Sequence, residues 1–251
     1  MTSSLSKHST AFDLNSMVSV VTASGGSLSD TSAESEGYPT TEMRIVLDGV
    51  SWETYEQLIQ ETGEQRNPLF AYRDGQLEIM VPLAGHEEPT RLFDQFLAAI
   101  VDELELEFRS LGSLTMKNPE QKKGLEPDCC FYIHNEAAVR GIDELDFSIH
   151  PPPDLVIEVD NSSMSLNKFP IYAALQIPEI WRLRKGVLTI HHFAPTSEEE
   201  TPSYRQSLTS LTFPTLPILE LPQFIDRARI VGHRSAVREF SQRVRQIVAE
   251  D

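Results

Sequence analysis

PPPDLVIEVDNSSMSLNKFPIYAALQIPEIW, residues Pro151 to Trp181, sets three carboxylates, Asp154, Glu158 and Asp160, into the otherwise apolar run that opens it. Leu155, Val156, Ile157 and Val159 are strand formers, and side chains alternate faces along a strand. Asp154, Val156, Glu158 and Asp160 therefore share one face, while Leu155, Ile157 and Val159 share the other. Carboxylates about 7 Å apart on one face repel one another and resist desolvation. They require a cation nearby, whether a metal ion, a lysine or solvating water, and metal binding is the chemistry this pattern calls for. After the loop of capping-type residues at Asn161–Ser165, a helix is expected over Asn167 to Gln176, with Ile171, Ala174 and Leu175 inward and Lys168 in its first turn. That is the unfavourable end of a helix for a cation, and a neighbouring carboxylate would offset the penalty.

Upstream, Pro127-Asp128 opens a strand in which Asp128, Cys130 and Tyr132 share a face opposite Cys129, Phe131 and Ile133. An Asp at the mouth of a strand is by itself a turn or edge residue. Asp128 and Glu158 are far enough apart in the chain to lie on neighbouring strands, where two carboxylates on one sheet face can hold a divalent cation with water completing the shell. Asp154 lies on the same strand as Glu158 and cannot be its cross-strand partner. A lysine nearby can orient the attacking water or steady charge developing on a phosphate. Asp128, Glu158 and Lys168 fit that division of roles, with Asp154 and Asp160 as secondary candidates.

The remaining elements alternate between strands and helices. A strand at Met43–Asp48 and a helix at Trp52–Glu61, capped by Ser51, precede a hairpin of Leu69–Arg73 and Gln76–Val81 around Asp74-Gly75. Glu78 in that hairpin reads as a solvated strand residue. An amphipathic helix is expected from Glu87 to Ser110, with His86 and Glu87 at its entry as further site candidates, followed by a strand at Ser113–Lys117. Downstream come a hairpin around Lys185-Gly186, whose His191 and His192 point to opposite faces and read as structural, and an extended segment near Tyr204–Leu211. Two terminal helices, Leu221–Ala228 and His233–Val248, carry Arg227, Arg229, Arg234, Arg238, Arg243 and Arg245. A solvated face is the plain reading of these arginines, and contact with an acidic partner such as nucleic acid the alternative.

The 251 residues accommodate one domain over 42–251 behind a Ser/Thr-rich extension, residues 1–41, expected to be disordered. No apolar run approaches the roughly 20 residues of a membrane span, and the start lacks a signal-peptide core, so a cytoplasmic protein without membrane contact is expected. A net charge of −17 argues against a general nucleic-acid footprint. Part of that charge lies in the N-terminal forty residues and in Glu198–Glu200. The adjacent Cys129 and Cys130 match no zinc spacing or ordinary disulfide framework and read as buried thiols. P-loop, dinucleotide-binding and Gly-x-Ser-x-Gly signatures are absent, which excludes those enzyme classes.

GLEPDCCFYI, the acidic strand with its following helix, and YRDGQLEIMVPLAGHEE upstream together resemble the Uma-type family of putative restriction endonucleases, within the PD-(D/E)xK nuclease superfamily. The resemblance covers roughly residues 40 to 245. It matches Pro127-Asp128 to the PD element and Glu158 to the acid of the next strand. The superfamily lysine normally follows that acid by two residues, where this chain has Asp160; Lys168 stands where family members carry a basic residue in the next helix. The resemblance implies an α/β, restriction-endonuclease-like fold, a mixed central β-sheet flanked by helices, and agrees with the order of elements above. It further implies hydrolysis of DNA phosphodiesters with Mg²⁺ or Mn²⁺ held by Asp128 and Glu158. The competing reading is a catalytically silent nuclease-like fold that serves as a binding module or homodimer, its acidic face satisfied by Lys168 alone.

Overall fold

The computed structural model describes residues 18–20, 42–63, 68–160, 166–195 and 203–250. The expectation for the first 41 residues lies outside them except at β1 (Val18–Val20), which pairs antiparallel with β2 (Met43–Leu47). The α/β architecture is as expected, and among the described residues its strands form two six-stranded sheets. The first, antiparallel throughout, runs β1-β2-β4-β3-β7-β6 and includes β3 (Leu69–Arg73), β4 (Gln76–Val81), β6 (Met116–Asn118) and β7 (Lys123–Leu125). The second runs β12-β11-β10-β9-β8-β5 and comprises β5 (Arg109–Gly112), β8 (Cys129–Tyr132), β9 (Leu155–Asp160), β10 (Glu179–Arg184), β11 (Val187–Ala194) and β12 (Ser203–Ser207). It is mixed, because β9 and β10 run parallel while its other pairs are antiparallel.

Both hairpin turns follow from their residues. Asp74-Gly75 and Lys185-Gly186 each carry two successive positive φ values, the conformation whose twist matches that of the flanking strands. The long helix α2 spans Ala84–Glu103 and stops short of the expected end at Ser110. Glu105 turns left-handed and the Leu106 amide closes back on the Val101 carbonyl, which terminates the helix and frees Arg109–Gly112 to pair with β8. The helix after the acidic strand, α4, is likewise shorter than expected, at Phe169–Ala174, and Lys168 precedes its first turn as the N-cap residue.

β9 is buried along its whole length, each face packing against a different layer. Leu155, Ile157 and Val159 join Phe93 and Phe96 of α2 and Phe240 of α6 (His233–Glu250) in the larger core. Phe96 meets Phe240 edge-on at 5.2 Å. Val156 on the other face packs with Cys130, Ile180, Tyr172 and Ile171, and with Ala71, Met116 and Leu125 from the first sheet. The acidic face of β9 thus looks into the seam between the two sheets and α4, away from bulk solvent.

Four of the six arginines of α5 (Leu221–Val231) and α6 are engaged by carboxylates of the same chain: Arg227 with Glu239, Arg229 with Glu88, Arg243 with Glu220 and Arg245 with Glu103. These pairs neutralise much of the positive charge of the two helices. No helix among the described residues is long and apolar enough to cross a membrane.

Cys129 and Cys130 are both buried, and burial pushes the Cys130 thiol up to about 12. Native protein is expected to leave both thiols unmodified by a chromogenic disulfide reagent at pH 8, and denatured protein to titrate both. A Cβ on Gly124 would stand 2.5 Å from the Tyr55 hydroxyl, whose ring is stacked on Tyr72. Gly124→Ala should therefore destabilise the first sheet by about 1–3 kcal/mol, read as a lower urea midpoint.

Candidate metal and phosphodiester site

β8 and β9 pair with Cys129 opposite Ile157 and Cys130 opposite Val156. Continued by one residue, the register sets Asp128 across from Glu158 on the same face, as the alternation predicts. Asp128 accepts the Val159 amide at 2.7 Å, which fixes its carboxylate against β9. Glu158 is held from α4: Lys168 donates to its Oε2 at 2.7 Å and the Tyr172 hydroxyl donates to Oε1. Asp128, Glu158 and Lys168 are therefore brought together although their positions span some forty residues of chain. Glu158, Lys168, Tyr172, Asp160, Arg182 and Arg44 line a cleft of about 330 Å³. Asp128 opens instead on a second cleft of about 320 Å³ together with His86 and Thr90.

The neighbours of this pair distribute its charge unevenly. Burial pushes the Asp128 carboxyl up, yet His86, Lys168 and the Val159 amide outweigh burial and hold it below the usual range. At Glu158 burial dominates, Asp128 adds to it, and Lys168 and Tyr172 offset only part, so this carboxyl is raised. Two carboxylates at close quarters cannot both be comfortable as anions, and Glu158 is the one whose charge is least compensated. Burial disfavours the Lys168 ammonium, but Glu158, Asp128 and Glu78 together raise its pKa, so it stays a cation.

The other sequence candidates separate by what they touch. Asp154 is occupied by structure: its Oδ2 accepts the Ile133 and Asn135 amides at 2.7 and 3.0 Å, and its Oδ1 accepts the Asn135 side chain at 2.9 Å. It closes the turn leaving β8. Asp160, in the place of the superfamily lysine, pairs with Arg182 on the next strand and lies 3.9 Å from the Arg44 guanidinium. It lines the cleft as one half of an ion pair. Glu87 faces outward and pairs with Arg91 along α2. His86 is 1% exposed, with Nε2 3.2 Å from Asp128 Oδ2 and 3.7 Å from Glu42 Oε2.

Glu78 overturns its solvated reading. It is buried, accepts Arg44 Nη1 at 2.7 Å and accepts the Leu166 amide at 2.7 Å, which ties the chain leading into Lys168 to the first sheet. Arg44 also donates to Glu42 at 2.9 Å. The alternation of β4 shows that Glu78 faces away from Leu77 and Ile79, but only the second sheet makes that face an interior. Tyr172, Arg44 and Glu42 were missed for a similar reason: each reads as an ordinary helix or edge-strand residue until the two sheets meet.

Oxygen donors for a hard divalent cation are present. Asp128 Oδ1 is buried with no hydrogen-bond partner among the described residues, and each Glu158 oxygen retains a lone pair beyond its single bond. Among the described residues no three His, Cys, Asp or Glu side chains form a ready-made cage. An ion carried by one or two carboxylates plus water, as Mg²⁺ prefers, needs none.

Asp154→Ala is expected to strand the Ile133 and Asn135 donors, at about 1–3 kcal/mol each. The thermal midpoint should fall while Mn²⁺ affinity per folded molecule, measured by calorimetry, stays at the wild-type value.

Comparison with known proteins places this geometry in context. No curated protein matches the chain at a significant level. Among solved structures, a putative nuclease belonging to DUF820 from Anabaena variabilis superposes with a TM-score of 0.43 at 12% identity, over 75% of this chain and 99% of that one. The sequence profile described as "Uma2: Putative restriction endonuclease" matches residues 52–224, which include the hairpin of Glu78, Asp128, the acidic strand and α4. With more than half of its length so matched, the chain belongs to the Uma2 family of putative restriction endonucleases.

Proposed function

We propose that the protein is a metal-dependent nuclease that hydrolyses DNA phosphodiester bonds, with Asp128 and Glu158 holding Mg²⁺ or Mn²⁺. The single observation that carries this reading is the cross-strand Asp128/Glu158 pair with Lys168 on Glu158, Glu158 and Lys168 lining one cleft and Asp128 the other. A cation bound there would polarise a phosphate oxygen and lower the pKa of bound water. Lys168 remains protonated among its carboxylates and acts as a donor toward charge building on the phosphate, in preference to abstracting a proton. Tyr172 orients Glu158 through its hydroxyl, and Val159 does the same for Asp128 through its amide. Arg182 and Arg184 line the same cleft and provide positive charge where a phosphate backbone would enter an otherwise acidic protein.

One observation favours the catalytically silent alternative. Every carboxylate of the acidic strand already has a partner inside the chain: Asp154 the turn amides, Glu158 Lys168 and Tyr172, and Asp160 Arg182. A module closed in this way, with a homodimer as its working form, would bind no metal.

Supercoiled plasmid DNA incubated with the protein and Mg²⁺ or Mn²⁺ should be nicked or linearised, and a chelator should stop the reaction. Glu158→Gln keeps an acceptor for Tyr172 but removes the charge, and is expected to slow cleavage by at least about 100-fold. Absence of cleavage on single- and double-stranded DNA, together with absence of calorimetric Mg²⁺ or Mn²⁺ binding by the wild type, would select the silent module.

A further inference from the structure

We propose that His86 is a nitrogen ligand of the cation held by Asp128, so that the site takes Mn²⁺ in preference to Mg²⁺ or Ca²⁺. The inference deepens the nuclease reading and rests on it. His86 is buried to 1% exposure, and neither ring nitrogen has a hydrogen-bond partner among the described residues. Asp128 Oδ1 is orphaned in the same way. Buried polar atoms without partners are rare and call for a bound group. Here three of them belong to two side chains in contact, and both side chains line the second cleft.

The spacing between them fits coordination. His86 Nε2 and Asp128 Oδ2 are 3.2 Å apart, yet the direction between them does not make a hydrogen bond. Two adjacent ligands of an octahedral ion, each about 2.1 Å from it, stand about 3.0 Å from one another. Glu42 Oε2 lies 3.7 Å from the same nitrogen, so the imidazole edge faces two carboxylates. A metal cation between the imidazole and these carboxylates would take the place of the proton that otherwise mediates their contact.

One opposing effect is small. His86 sits in the first turn of α2, whose amide dipoles disfavour a cation. The direct attraction of two close carboxylates for a cation is stronger than this end-of-helix effect, so the carboxylates outweigh the helix. Imidazole nitrogen raises affinity for first-row transition ions, whereas Mg²⁺ and Ca²⁺ prefer an all-oxygen shell. The ligand set therefore determines which cation the site prefers.

The test uses the full-length protein loaded with Mn²⁺ and frozen for pulsed electron paramagnetic resonance. One ¹⁴N coupling of imidazole type is expected in the wild type, and its absence from protein that binds Mn²⁺ overturns the assignment without any variant. In parallel, His86→Ala and His86→Asn, verified as folded by circular dichroism, should lose at least about tenfold in Mn²⁺ affinity while Ca²⁺ affinity changes less than threefold. Equal losses for both ions, or none, also overturn it. DNA cleavage is scored separately. A wild type that cuts DNA but shows no nitrogen coupling removes His86 and leaves the nuclease reading standing. A wild type that shows the coupling but cuts no DNA does the reverse, and a wild type that binds neither Mn²⁺ nor Mg²⁺ and cuts no DNA removes both.

Discussion

Burying the acidic face of β9 between two sheets is the constraint on which the rest of this molecule depends. A carboxylate removed from water is tolerable only where donors or cations replace its hydration. The chain supplies a different solution at each position: backbone amides and an asparagine for Asp154, a lysine and a tyrosine for Glu158, an arginine pair for Asp160. Those requirements explain features that otherwise look unrelated. The turn after β8 folds back on Asp154, α4 starts where Lys168 can reach Glu158, and Arg44 holds Glu78 within the first sheet while reaching toward Asp160 on the second.

The same compensation bears on chemistry. Where carboxylates are fully matched they are structural, and where a buried oxygen is left over there is room for something else. Asp154 falls in the first class. Asp128 falls in the second, with an Oδ1 and a neighbouring imidazole that make no hydrogen bond among the described residues. Glu158 stands between the two, since both oxygens have a donor but its charge remains the least compensated of the pair. The net acidity of the chain, which speaks against a nucleic-acid surface in general, does not describe the cleft itself, where Lys168, Arg44, Arg182 and Arg184 converge.

Much of the fold and part of the site are legible in the residues. Asp74-Gly75 and Lys185-Gly186 specify their hairpins through backbone conformations that glycine and its neighbour adopt readily. Period-two alternation sorts Leu155, Ile157 and Val159 from Glu158 and Asp160, and the same rule places Asp128 on the matching face of its own strand. Element ends are less legible. The stop of α2 at Glu103 depends on Glu105 turning left-handed, which a glutamate does not announce. The division into two sheets was not legible either, because pairing partners are chosen by contacts distant in sequence.

By itself, then, the sequence determined which residues share a face, where the tight turns fall and that an acidic strand would need a cation, because alternation and turn conformation are local properties of the backbone. Tertiary structure decided the rest. It made Glu78 an interior residue, brought Tyr172 and Lys168 onto Glu158, gave Asp160 to Arg182 and set His86 against Asp128. The physical reason is that desolvation and ion pairing are properties of the space between elements, and that space exists only once the two sheets close on one another.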